Sequence, residues 1–321
     1  MIHYAESVAQ YSASGPNLRA LGFRLHGLSL VRLRPGPVFV YRPLAVGGPE
    51  LLAMRHSTIR DVWVFSNEQP FAPGFPRYAD GAALLLDGVR DCLLENVQVD
   101  GCEVGLLLKD SARCTLSSVQ TCVQMAQGSR HGIVIEGGGG HVLINSVFGP
   151  MGSNAYPGHA LTLRTSTLPG RELIGPLQCT FLNAQFEGRH TADAIRIEAG
   201  SELSFTNYSP PGHGPATHKQ RGIYVGPTVR HVDFHGGWAN NYTGGPNGSV
   251  AIEVENGAND VRFHNVGISQ PYSYGEVRLP DPRSPGFASR NVGGSFNFGV
   301  GPPHMLSGTV EVGTSVIHGF I

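Results

Sequence analysis

Short apolar strands recur along this chain, each followed by a turn and then a second strand with alternating apolar positions. The first strands read Leu84-Leu85-Leu86-Asp87, Leu106-Leu107-Leu108-Lys109, Ile133-Val134-Ile135-Glu136 and Leu161-Thr162-Leu163-Arg164. They continue as Ile195-Arg196-Ile197-Glu198, Ile223-Tyr224-Val225-Gly226 and Ile252-Glu253-Val254-Glu255. The interval between them varies from about 22 to 35 residues, as in a coil whose loops vary while its strands keep register. A polar or small residue closes each second strand: Asp61, Asn96, Ser118, Ser146, Asn183, Asn207, Gly236 and Asn265. Two residues earlier stand Ile59, Leu94, Leu116, Ile144, Phe181, Phe205, Phe234 and Phe263. Four residues earlier stand Ser57, Cys92, Cys114, Val142, Cys179, Leu203, Val232 and Val261. Period-2 alternation sends both sets into one interior, where coils about 4.8 Å apart stack like residues on like. The pattern predicts an all-β chain, a single-stranded parallel β-helix with stacked phenylalanines inside.

The closing column reads as an internal polar ladder, because Asn tolerates the left-handed backbone of a tight turn and hydrogen-bonds its neighbours. This stacking resembles that of the pectate-lyase-like right-handed parallel β-helix superfamily, which includes pectate lyases, polygalacturonase-type hydrolases and bacteriophage tailspikes. The resemblance covers about residues 20–280 and lies in the stacking alone; no catalytic motif of any one family is present. It divides the chain into an N-terminal cap over 1–20, the β-helix over 21–280 and C-terminal strands over 281–321. Tyr4–Tyr11 reads as a short capping helix, and Ser295–Phe298 and Thr309–Val312 as strands.

Composition narrows the function. A net charge of −1 gives no general attraction for nucleic acid or anionic membrane. No apolar run approaches the roughly 20 residues of a membrane span, and no signal peptide is visible. Five cysteines without a Cys-x-x-Cys argue against a disulfide framework or a zinc site. Cys92, Cys114 and Cys179 fall on the interior column as small hydrophobes.

Candidate chemistry lies outside the coil. The column Asp87, Lys109, Glu136, Arg164, Glu198 alternates in sign and reads as a register-fixing ladder. Two outward columns follow the closing residue on the third strand. One is Trp63, Gln98, Gln120, Phe148, Gln185, Ser209 and Trp238; the other includes Phe65, Asp100, Glu187 and Asn240. Aromatic rings beside amides and acids suit sugar, and the resemblance implies a groove along such a face that holds a long glycan. Trp63, Gln98, Asp100, Gln185, Trp238, Asn240 and Tyr242 are the expected substrate contacts. Glycoside hydrolysis needs two nearby carboxylates. Asp100 and Glu187 are three coils apart, so Glu187 and Asp193 are the expected pair. The basic loop holding His218 and Lys219 offers the groups that a lyase needs. His235 and His264 should stack outward on adjacent coils, but no third ligand is evident, so no metal or other cofactor is expected.

With the resemblance, these features favour a tailspike-like polysaccharide depolymerase, either glycoside hydrolase or lyase; the resemblance implies a place on a virion tail or otherwise outside the cell, and a homotrimer. A secreted glycan lyase or hydrolase, and a non-catalytic glycan-binding or structural β-helix, remain open beside it.

Overall fold

The computed structural model describes residues 2–4, 24–32, 39–41, 54–55, 57–66, 79–100, 102–121, 131–149, 158–186, 193–209, 221–239, 250–268, 277–281 and 285–298. Among these there is no helix. Two ten-stranded parallel sheets run the length of the molecule, and every strand neighbours those one coil before and after it. The first sheet holds the predicted first strands, such as Ala79–Asp87, Asp193–Ile197 and Arg221–Val225, and extends beyond them to Ile2–Tyr4 and Phe39–Tyr41 at one end and Val277–Arg278 at the other. The second holds the strands that follow in each coil, from Arg24–Arg32 and Thr58–Ser66 through Ser201–Thr206 and Arg230–His235 to Asn259–Ile268 and Arg290–Phe298. A third row, marked by single bridges such as Gln98 to Gln120 and Gln185 to Ser209, completes the coil. This is a parallel β-helix, and each residue stacks on its counterpart one coil away.

The interior follows the alternation. Phe181, Phe205, Phe234 and Phe263 are fully buried. Their rings stack nearly parallel, with centroids 4.4, 4.7 and 4.9 Å apart. The spacing is imposed by the strand register that pairs them coil by coil. Cys92, Cys114 and Cys179 are buried free thiols; burial pushes Cys114 up to about 12 and Cys179 up to about 11. Such thiols behave as small hydrophobes rather than nucleophiles.

One coil is displaced by a residue from the expected register. Leu116 pairs with Leu143 and Leu143 with Phe181, so Leu143, not Ile144, points inward. Asn145, not Ser146, takes the corner, at φ 48°. His141 therefore replaces Val142 in the cysteine column, fully buried between Cys114 and Cys179. It accepts a hydrogen bond from the Cys114 N–H at its Nδ1, 3.2 Å away. Burial pushes its imidazole down to about 4, so it is neutral at physiological pH. Downstream, the same displacement turns Phe148 into the core, where it stacks on Phe186 at 6.0 Å. Val147 takes the outward place expected of Phe148, bridging Gln120 and Gln185. The Asn145-Ser146 pair misled the alignment, since both suit a turn and only one fits the left-handed corner.

The corners differ from expectation in a second way. Asp61, Asn96, Ser118, Asn145, Asn183, Asn207 and Asn265 all have φ between 48 and 54°. Most are exposed, so the ladder runs along the outside of the corner. Asn207 donates to Asn183 at 2.8 Å and Asn183 to Asn145 at 3.1 Å. Five residues before the corners from Asn96 onward, Gly236 included, lies a second left-handed position, among them Asp91, Arg113, Gln178, Glu202, His231 and Asp260. Residues other than Gly, Asn and Asp are strained there. Pairs between coils offset that strain: Arg113 forks onto Asp91 at 2.6 and 2.8 Å, and Gln178 donates to Glu202 at 2.8 Å.

Candidate functional site

The corner between the second and third strands presents two parallel rows. The first is the exposed Asp/Asn ladder. Two residues further on comes the outward row Trp63, Gln98, Gln120, Val147, Gln185, Ser209, Trp238, paired coil to coil. The residues after them, including Val64, Val99, Phe186 and Ala239, are buried. That burial fixes the row outward by period 2. The side chains of Gln98, Gln120 and Gln185 have no hydrogen-bond partner among the described residues. At the N-terminal end, Trp63, Gln98, Asp61, Asn96, Gly27, Leu28, Ser29 and Val62 line a depression of about 220 Å³. Asn96 donates to Asp61 at 2.6 Å. That bond, helped by His26 at 2.8 Å and by Arg60, holds the Asp61 carboxyl below its ordinary range. At the other end Trp238 is 48% exposed. Its indole lies across Gly267 of the next coil; a Cβ there would meet the ring at 2.5 Å. Gly267 thus lets the ring lie flat on the surface.

Of the expected substrate contacts, Trp63, Gln98, Gln185 and Trp238 share this strip. Asp100 continues the strand, its backbone paired with Phe65, but its side chain lies outside the described residues. Asn240, Tyr242, Glu187, His218 and Lys219 also lie outside them. Sequence reasoning assigned Asp61 and Asn96 to an interior ladder and so missed them as lining groups. The left-handed corner, which turns a side chain outward, was the available signal.

Asp193 lies on the first sheet, 1% exposed. Arg221 reaches it through two nitrogens, at 2.5 and 2.8 Å, and Arg196 through a third at 2.8 Å. Arg221 also binds Glu253 at 2.6 Å, and Arg196 binds Glu198 at 2.6 Å. Tyr224 is packed against both guanidinium groups, 3.9 Å from Arg221 and 4.8 Å from Arg196, and donates to Glu255 at 2.9 Å. His159 accepts the Asp193 N–H at 3.1 Å and stacks on His131. Burial pushes the Asp193 carboxyl up, but Arg221, His159 and Arg196 outweigh it and hold it below the ordinary range. A carboxylate so held is a fixed anion, not a group that passes a proton near neutral pH. The neighbouring charge column behaves similarly. Glu136 is buried beside Lys109 and Arg164, accepting from Arg164 at 2.8 and 3.1 Å and from Thr167. Glu198 pairs within its own strand instead.

The two surfaces suit different tasks. The first-sheet face saturates its charges internally, whereas the strip offers uncharged amides and flat rings to whatever lies along it.

No protein-family model matches this sequence, and no curated protein does. Among solved structures, the A-module of a mannuronan C-5 epimerase from Azotobacter vinelandii is similar at 12% identity and a TM-score of 0.48, covering 94% of this chain and 93% of that one. The Dettilon tailspike protein is similar at 10% identity and a TM-score of 0.43; the match covers 87% of this chain and 60% of that one. The strand register, which pairs each strand with those one coil before and after it, makes the chain a parallel β-helix.

Proposed function

We propose that this protein binds a long glycan laid along the corner strip, parallel to the helix axis. The observation that carries the reading is the depression walled by Trp63, with Gln98, Asn96, Asp61 and Ser29 around it. Its size is below the ~300–1,000 Å³ of sites for drug-sized ligands, so it suits one sugar ring rather than a whole oligosaccharide. The ring would lie against the indole, and the amides would bond its hydroxyls. From there the outward row supplies one group per coil, every ~4.8 Å, which roughly matches the rise of a sugar chain. Trp238 supplies a second platform at the far end. Polysaccharide affinity electrophoresis across neutral and acidic glycans tests this. Binding that Trp63→Ala weakens about tenfold supports it; equal retardation of the two forms overturns it.

Depolymerisation of the bound chain is the finer reading. Glu187 follows Gln185 and Phe186 in sequence, so alternation predicts it outward in the column beside that row, with the His218–Lys219 loop one coil later. Asp193 is committed to Arg221 and Arg196, and the reading therefore rests on Glu187. Product analysis separates the outcomes. Unsaturated products absorbing in the ultraviolet mean lyase, new reducing ends mean hydrolase, and binding alone means a recognition module. Glu187→Gln should keep binding and stop cleavage. This reading places the protein on a virion tail or in the extracellular medium, as a homotrimer. Light scattering giving a 34.2 kDa monomer would count against the trimer.

A further inference from the structure

The outer face of the second sheet carries a cluster that neither the strip nor the charged first-sheet face uses. On Arg230–His235, Val232 and Phe234 point into the core, and Asp233 and His235 alternate outward. His264 is the register partner of His235 one coil on. The two imidazoles stack with centroids 4.4 Å apart and planes 4° from parallel. The Nε2 of His264 lies 3.6 Å from the Oδ1 of Asp233. One ligating atom from each of the three residues lies within 4.8 Å of the other two. The sequence showed the two histidines as neighbours but not the third ligand, because Asp233 reaches His264 diagonally across the strands. Arg262 is the register partner of Asp233 but forms no ion pair with it among the described residues, which leaves the carboxylate available.

We propose that Asp233, His235 and His264 bind a divalent transition-metal ion such as zinc, with coordination positions open to solvent. Zinc bonds of about 2.0–2.2 Å in a tetrahedral arrangement put ligand atoms roughly 3.3 Å apart. The side chains therefore close by at most about 1.5 Å from the separation observed. Exposed side chains do this by turning about their own bonds, while the sheet holds the backbone fixed. Two imidazole nitrogens and one carboxylate oxygen suit zinc, nickel, cobalt or copper, and disfavour calcium and magnesium, which take oxygen ligands. The site stands independently of glycan binding.

Calorimetric titration of the chelator-stripped full chain with zinc chloride tests the proposal. One site of micromolar affinity is expected. His235→Ala and His264→Ala should each weaken it at least tenfold and Asp233→Asn several-fold. His231→Ala, at the corner beside Asp260, should leave it unchanged. Because the chain has 14 histidines, the assignment rests on which variants lose binding. Wild-type affinity in both His235→Ala and His264→Ala, or no zinc binding by the parent, overturns it. Should either variant misfold by circular dichroism, the parent loaded with copper decides the matter. Nitrogen hyperfine couplings from two imidazoles in its electron paramagnetic resonance spectrum support the site, and their absence sinks it.

Discussion

The outer face of the first sheet around Asp193 and the strip along the second corner belong to the same coils, yet they handle polar groups in opposite ways. Around Asp193, two arginines, three further carboxylates and a tyrosine satisfy one another, and little is left for a ligand. On the strip, the glutamine side chains have no partner among the described residues, and Trp238 lies open over a glycine. Buried charge must be paired to persist, whereas an exposed amide costs nothing while water solvates it and can exchange that water for a sugar hydroxyl. A dense ionic cluster in a β-helix is therefore weaker grounds for a binding site than a row of unpaired neutral groups.

Five changes would break or sharpen this contrast. The largest effect belongs to the interior on which both faces stand. Phe234→Ala removes the ring stacked between Phe205 and Phe263 and should cost about 3–5 kcal/mol, read by chemical denaturation, while ligand contacts stay untouched. Next comes the ionic face. Asp193→Asn leaves Arg221 and Arg196 without their shared anion and should cost about 3 kcal/mol. Because the Asp193 carboxyl is held below its ordinary range, its stabilisation is present above the usual carboxylate pKa and is lost as pH falls through the lower folded value. The variant should lack that acid-side decline. If Asp193→Asn keeps its stability but loses activity on a glycan, the division between the two surfaces is wrong.

His141 gives a comparable signal at milder pH. The folded protein holds it neutral down to about 4, while an unfolded histidine takes up a proton near its ordinary 6.5. Stability should therefore fall by up to about 3 kcal/mol as pH drops through that window. His141→Gln, which retains an acceptor for the Cys114 N–H and cannot titrate, should flatten the curve between those values in thermal melts. The smallest effect is on the strip. Trp238→Ala should weaken glycan binding about tenfold, or roughly 1.4 kcal/mol, without changing the melting temperature. Gly267→Ala should weaken it similarly by lifting the indole from its bed. Binding indifferent to both changes would confine the site to the Trp63 end.

Much of the fold was legible because stacking repeats the same instruction in every coil. The phenylalanine column, the first strands and the inward Val64, Val99 and Phe186 follow from alternation alone. Where one coil offered two turn-forming residues in succession, Asn145 and Ser146, alternation had no means of choosing, and Phe148 was placed on the wrong face. The strip was half legible: Trp63, Gln98, Gln185 and Trp238 by period 2, but not Asp61 and Asn96, whose outward direction depends on a left-handed backbone.

The residue pattern by itself determined that the chain coils, that the phenylalanine column stacks inside and that Cys92, Cys114 and Cys179 are buried, since burial of apolar side chains at a fixed period is a local property repeated along the chain. Only the tertiary structure decided what lies beside what across coils: that Asp193 is locked between Arg221 and Arg196, that Trp238 rests on Gly267 and that Asp233 meets His264. Those neighbours are separated by about 3 to 30 residues of chain, and loops of unequal length bring them together. Their contacts follow from the register between strands, which hydrogen bonding sets and which no short stretch of sequence records.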